Sequence, residues 1–376
     1  AVVGLVAGGW MEKETQTTVG AELRASGAEA HAALARAIRR QPAPAFEDLL
    51  VFLGDTPAPE VQALTAAAMG AVKSARFFPS LLSMLGARDA RGPARAAFLE
   101  HGADALRFLD EALGDWHLPH EIRRHLPRTI SLFPPSEAAG VLLRHLLPEP
   151  SGMVRFKIIR GLGRIATDHP DVRLDKVVLK EATAQTLEAC FRLVHWRSVL
   201  ERGARAEPRR ATAGHDLLAT LLRDKEVHAV ERLFRLLGLQ YRGEDLRQLH
   251  RGLRNTSPKV RAGSRELIEN LLAPPLREAV LALVDDSPAE ARLPFAAEYY
   301  RPAVLDYDGL LAALLDQSSE TVRCIAAYHV GELGLTALRG RLEAFDTRRT
   351  GLFFSRVIER ALRLLGEAEQ GLAHAR

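Results

Sequence analysis

The 376-residue sequence is poor in aromatic side chains, which make up 6% of it with only five Tyr and three Trp, and it contains just two cysteines, Cys190 and Cys324. Two thiols far apart inside helical patterns form neither a disulfide framework nor a thiolate metal cluster. They read as small buried apolar side chains of a protein from a reducing compartment, so a cytoplasmic location is expected. Alternating β-branched runs are absent too, which excludes a sheet-built core and leaves an all-α chain rich in Leu and Ala.

Chemical signatures are equally scarce. There is no G-x-x-x-x-G-K-[ST] phosphate loop and no G-x-S-x-G elbow, and Gly161-Leu162-Gly163 falls inside a helical run rather than after a strand. The stretch His117-Leu118-Pro119-His120-Glu121-Ile122-Arg123-Arg124-His125 approaches H-E-x-x-H, but three residues separate Glu121 from His125. Five positions along a helix turn two side chains about 140° apart, against about 40° for four, so His120 and His125 diverge. The adjacent carboxylates Glu244-Asp245 and Asp285-Asp286 fall at helix ends, where they suit capping better than acid–base work. Asn255-Thr256-Ser257 is a formal glycosylation sequon that reads better as a cap before Pro258. No catalytic residue, cofactor or metal ligand is therefore expected.

What the chain does have is helical periodicity. Val230, Leu233, Phe234 and Leu237, then Leu246, Leu249 and Leu253, then Leu267, Ile268, Leu271 and Leu272 recur at the spacing of an amphipathic helix. Short polar breaks at Tyr241-Arg242-Gly243, at 255–258 and at Ala273-Pro274-Pro275 separate these helices. Earlier in the chain a helix over 46–53, a turn at 55–59 and a helix over 60–72 form a pair that recurs. Each pair carries a small apolar residue followed by Arg or Gln near the start of its second helix. The instances are Val61-Gln62, Ala94-Arg95, Ile122-Arg123, Val154-Arg155, Val260-Arg261 and Val322-Arg323, on a period of about 32 residues. Two helices of that length cannot bury an apolar face alone, so the pairs are expected to stack. The apolar member should point inward, and the arginine should lie across the turn and bond a carbonyl or carboxylate of the next unit.

Four regions follow from the pattern. Residues 1–27 are an apolar stub, AVVGLVAGGW, with a polar linker, read as the end of a membrane segment. Residues 28–170 hold the N-terminal repeats. Residues 171–240 contain two helices of about 28 residues, over 175–202 and 212–239 with Gly203 and Pro208 ending the first, some 42 Å long at 1.5 Å per residue and expected to project as a hairpin. Residues 241–376 hold the C-terminal repeats and a cap over 352–366.

Charge is regional rather than uniform. The formal net charge is +4, yet from Arg197 to Arg265 there are 16 Lys or Arg against 8 Asp or Glu. Such a basic tract suits an acidic protein segment, an anionic membrane leaflet or nucleic acid. The candidate contact residues are Arg202, Arg205, Arg209, Arg210, Arg242, Arg247, Arg251 and Arg254.

The helix pairs with Val-Arg in the second helix, as in NTSPKVRAGSRELIENLL and DQSSETVRCIAAYHVGELG, resemble HEAT repeats, and the resemblance covers about 46–366. It implies an α-α solenoid with a longer hairpin in its middle. A narrower likeness spans 229–272, carried by Glu231 to Gly238, the Tyr241 turn, Gly252-Leu253-Arg254 and Arg261 to Leu272. It is similar to the HEAT-repeat region that follows a major-facilitator or ATP/ADP-translocase type membrane domain in some bacterial proteins. That resemblance implies a non-enzymatic scaffold for a protein partner, acting as a docking or regulatory domain at the cytoplasmic face of the membrane. The alternative is a nucleic-acid-binding helical-repeat protein using 197–265, either non-catalytic or similar to helical-repeat DNA glycosylases, with Trp116 or Trp196 and Arg197 as groove residues.

Overall fold

The structure, a computed structural model, describes residues 25–345 and 351–374, and among these every regular element is helical. The apolar stub expected to end a membrane segment lies outside the described residues. None of the described helices is long and apolar enough to cross a membrane. The chain divides into two compact units, Ala1–Glu149 with Met153–Asp175, and Pro150–Gly152 with Lys176–Arg376.

In the first unit the helices are α1 (Ala28–Arg40), α2 (Glu47–Gly54), α3 (Pro59–Val72), α4 (Phe78–Met84), α5 (Arg91–His101), α6 (Ala103–Gly114), α7 (His120–Arg123), α8 (Leu126–Ile130), α9 (Pro135–Leu146) and α10 (Gly152–Asp168). Proline sits in the first turn of α3, α4, α8 and α9, where its missing N–H would be unpaired anyway and its fixed φ suits the helix. Helices two apart in the chain pack side by side: α1 on α3, α3 on α5, α2 against α4 and α6 against α8. Val61, Ala94 and Val154 are buried, as expected of the apolar member of each pair. Phe46, Phe77 and Phe98 fill the space between layers. The approach of α10 is set by Gly161, where a Cβ would lie 2.8 Å from Leu142 Cδ1 and 3.2 Å from the Pro127 carbonyl. A side chain there would push α10 off α8 and α9.

The arginines of the repeat behave in three ways. Arg155 donates to the Glu149 carbonyl, and Arg261, in the second unit, donates to the Asn255 and Thr256 carbonyls at 2.8 and 3.0 Å, so both tie down the turn before their own helix. Arg123 is buried, bonding the Leu113 carbonyl at 3.1 Å and the Glu149 carboxylate at 2.6 Å. Arg95 departs from the expected carbonyl contact. The turn before α5 is held instead by Arg91, which bonds the Leu85 and Gly86 carbonyls, so the repeat register here is Ala90-Arg91, four residues earlier. Arg323 departs as well, its guanidinium lying 4.8 Å from the Phe354 ring centre.

The second unit is built on α11 (Lys176–Ala206) and α12 (Ala213–Gln240), followed by α13 (Leu246–Leu253), α14 (Pro258–Leu271), α15 (Leu276–Val284), α16 (Ala289–Arg292), α17 (Tyr307–Leu315), α18 (Glu320–Glu332), α19 (Arg339–Glu343) and α20 (Leu352–His374). The long hairpin does not project. Leu187, Phe191, Val194, Leu218, Val230 and Phe234 from its two helices lie in the same core as Leu310, Ala327 and Ile358. The reason is that α11 is apolar well beyond one stripe, so it buries itself against α12, α15, α16 and α17. Gly203, expected to end the first long helix, lies within it. A Cβ there would sit 2.2 Å from the Tyr307 ring, so this glycine lets α17 approach. Val260 also differs from expectation, being 43% exposed. Ile122, by contrast, is half-buried and Val322 fully buried. The polar break before Pro258 is closed by Asn255, whose side chain accepts from the Ser257 N–H, rather than by a Ser257 side-chain cap.

A candidate anion-binding cleft in the first unit

The eight arginines expected to form a contact surface all belong to the second unit. Arg202, Arg205, Arg209, Arg242, Arg247, Arg251 and Arg254 are exposed, and Arg210 is half-buried. Folding supplies many of this unit's cations with acids. Arg209 and Arg210 pair with Glu207 at 2.9 and 3.0 Å, and Arg210 also lies over the Tyr307 ring. Arg247 reaches Asp245, and Arg265 pairs with Glu269. Arg202 and Arg205 stand near Glu290, whose pKa is lowered first by the Ser198 hydroxyl and its own backbone, then by these two charges. Arg197, a proposed groove residue, is engaged by Glu226 at 3.1 Å, and Glu226 also takes Arg292 at 3.0 Å, forming a buried Arg–Glu–Arg triad. Trp196 beside it is buried. The groove between α13 and α14, about 640 Å³, is lined by Glu244, Asp245 and Glu266 against Lys259, so it is not basic.

The first unit holds a different arrangement. A cleft of about 420 Å³ is lined by Arg95, Arg124, His125, Arg128, Lys157, Arg160 and Arg164, with no acid among them. Each contributing segment places its cations on one stripe: Arg91 and Arg95 on α5, Arg124 and Arg128 through α7 and α8, and Lys157, Arg160 and Arg164 on α10. Positions three or four apart on a helix are surface neighbours, so these stripes follow from the sequence spacing. None of the seven lining side chains makes an ion pair with a described acidic residue. Their fixed partners are neutral. The Arg95 Nε donates to Thr129 Oγ1 at 3.3 Å, and Arg164 donates to Ser131 Oγ at 2.9 Å. Both hydroxyls are in turn pinned by donating to backbone carbonyls of His125 and Arg128.

The electrostatic consequence is mutual repulsion. Burial, with Arg91, Arg124, Arg95 and Lys157 nearby, pushes the His125 pKa down to about 4. Its ring is therefore neutral near pH 7, in keeping with the hydrogen bond it receives from Arg124 Nε at 3.3 Å. Burial and the charges of Arg128, Arg160 and Arg95 bring even Arg164 down to about 10. Lys157 and Arg95 are lowered for the same reasons. Holding like charges together in a partly desolvated cleft opposes folding unless an anion is there to receive them.

Of these residues, the sequence marks Arg95 as a repeat position and His125 as part of a near zinc motif, and neither as part of a cationic cleft. A signal was present. The segments 90–99, 122–136 and 150–167 contain no Asp or Glu, carry two, three and four Arg or Lys, and recur about one repeat apart. One acid-free run is not enough, since 246–265 is another and folds against Glu244, Asp245 and Glu266. These three recur about one repeat apart, and side chains from each of them line one cleft.

Other polar clusters are sealed. Tyr307 accepts or donates with His329 Nε2 at 2.7 Å, while His329 Nδ1 meets Glu332 at 2.9 Å and His215 meets Tyr307 at 3.2 Å. Tyr307 and His329 are buried, and the network joins α12, α17 and α18. Both cysteines are buried, and burial raises the Cys190 thiol to about 12. Among the described residues no group of three or more His, Cys, Asp or Glu is placed to hold a metal ion. His120 opens α7, whereas His125 lies in the turn between α7 and α8. No family model and no curated protein matches the chain.

Proposed function

We propose that this chain is a non-enzymatic, HEAT-like helical scaffold whose working surface is the cationic cleft of the first unit, where it holds an anionic partner. The observation that carries this reading is the gathering of six Lys or Arg side chains around a cleft whose lining contains no acid. Proteins normally intersperse charge, and the second unit of this same chain does so. The side-by-side packing of helices two apart supports a stacked-hairpin array in which equivalent positions on successive second helices line one face. The mechanism is charge complementarity on a preorganised surface. Thr129 and Ser131 fix the guanidinium groups in advance, so little side-chain freedom is lost when the anion arrives.

Retention on heparin, a generic polyanion, tests the reading. The Arg124→Glu/Arg128→Glu/Arg160→Glu variant alters exposed side chains and should elute at clearly lower salt than the parent, whereas Arg202→Glu/Arg205→Glu/Arg251→Glu/Arg254→Glu should elute nearer to it. Equal loss from both sets would remove the cleft as the working surface, and greater loss from the second set would return it to the second unit.

A second reading is favoured by the α13–α14 groove, where Val260 and Leu267 are 43% and 50% exposed. There the scaffold would take a protein segment, in the manner of a docking or regulatory domain beside a transporter-like membrane domain on the cytoplasmic face. About a dozen apolar spans encoded upstream of Ala1 would support that reading, and a start codon close by would remove it.

A further inference from the structure

We infer that the ligand of the first-unit cleft is the sugar-phosphate backbone of a nucleic-acid duplex, bound without base readout. The inference rests on the anion-binding reading above and names its ligand class.

Three features of the cleft select this ligand. The first is its extent. The cations are not gathered about one point but lie on α5, on α7–α8 and on α10, and packed helices stand about 8–10 Å apart. A chain of phosphates can engage all three stripes at once, with the Arg95 and Arg164 heads already drawn towards α8 by Thr129 and Ser131. The second is the donor type. Five of the six cations are Arg, whose planar fork matches phosphate oxygens in a bidentate manner, and two of them are already oriented by neutral hydroxyls. The third is what the lining omits. The aromatic ring in the lining is that of His125, half-buried and hydrogen-bonded by Arg124, and the neighbouring Phe156 ring is half-buried with Arg160 and Lys157 over it at 5.7 and 5.8 Å. Single strands are held by stacking bases on aromatic faces, and acidic protein segments by apolar anchors beside the charges; the lining offers neither. Backbone contact to a duplex needs only cations at the right spacing.

The neutral state of His125 fits the same picture. Its ring is flanked by Arg91 and Arg95 on α5, Arg124 beside it and Lys157 on α10. Phosphates entering the cleft would offset those charges, so the imidazole should become easier to protonate when a duplex is bound.

The test uses the whole chain and fluorescence anisotropy of a labelled duplex of about two helical turns, as DNA and as RNA, against the matching single strand, over a potassium chloride series starting at about 50 mM. The expected result is duplex binding whose log K falls linearly with log salt. The slope should be roughly −4 to −5, as for five or so phosphates, with the single strand bound at least about tenfold more weakly. The DNA and RNA arms decide which duplex is the source, and binding of either supports the inference. Arg128→Glu/Arg160→Glu should weaken binding by about tenfold or more and flatten the slope by about 2. Arg251→Glu/Arg254→Glu should leave both unchanged, and circular dichroism should show the helix content of each variant intact.

Single-strand binding as tight as duplex binding would overturn the inference, and so would duplex binding indifferent to Arg128 and Arg160. If neither duplex binds while heparin retention still depends on the cleft arginines, the duplex ligand falls and the anion-binding scaffold stands. If heparin retention is also indifferent, both fall.

Discussion

The two units of this chain treat their arginines in opposite ways. In the second unit Glu226 stands between Arg197 and Arg292, Glu207 between Arg209 and Arg210, and Glu269 beside Arg265. In the first, Arg95, Arg124, Arg128, Lys157, Arg160 and Arg164 face one another around a cleft, held by hydroxyls and an imidazole. The tract with the larger sequence excess of positive charge is thus the better neutralised one. Net charge over a window counts residues, whereas a binding surface depends on which of them folding leaves without a counter-charge. The difference also separates two uses of arginine. Those paired in the second unit and Arg123 in the first are held by acids, while those in the cleft repel one another, and on the reading proposed above an anion would relieve that repulsion.

The largest effect should come from making the second unit resemble the first. Glu226→Ala would strip the carboxylate from two guanidinium groups, leaving the nearly fully buried Arg292 without its acid and Arg197 with only Glu201 at 3.5 Å. Breaking a buried pair in this way costs about 3–5 kcal/mol, which urea denaturation should register as a fall in midpoint. Glu149→Ala should do the same in the first unit by releasing buried Arg123, so the pair of variants tests whether structural arginines are alike in both.

A smaller effect of opposite sign is expected in the cleft. Arg160→Glu places one acid among five cations on exposed surface. It should raise thermal stability by about 0.5 kcal/mol at low salt while weakening polyanion binding. A variant that loses binding and stability together would mean that Arg160 holds structure like its counterparts in the second unit.

Much of the fold was legible because its signals are local. The breaks at Tyr241, Asn255–Pro258 and Ala273–Pro275 stand where the helices end, and the long helices read as 175–202 and 212–239 are Lys176–Ala206 and Ala213–Gln240. What did not show was tertiary. Gly203 reads as a stop, yet it serves as a gap for the Tyr307 ring, and no local rule distinguishes these. Ala94-Arg95 looked like the repeat pair because Ala90-Arg91 differs from it by one helical turn and has the same character. Only the carbonyls that each arginine can reach decide between them. The cleft does not show in any one stretch because its six cations come one, two and three from three separate segments, and every segment taken singly resembles a solvated helix face.

The smallest expected effect is also the most local. Two histidines, His125 in the first unit and His250 in the second, are both held down to about 4, and burial is the leading cause for each. Their charged neighbours differ. His125 meets four cations, while His250 lies near Arg254 and Arg235 but also near Glu231, which pulls the other way. For both, the folded pKa lies below the unfolded value of about 6.5, so the neutral ring contributes stability that is whole above about pH 6.5 and is lost as pH falls towards 4. Stability followed by denaturant midpoint should therefore drop across that window. Raising salt from about 0.05 to 0.5 M screens the Coulombic part and leaves the burial part in place. In a ring-proton NMR titration the His125 pKa should climb by a few tenths, and that of His250 by less, because screening removes an attraction there together with the repulsions. Equal shifts at the two rings would mean that the cleft cations do not act on His125 as an uncompensated group.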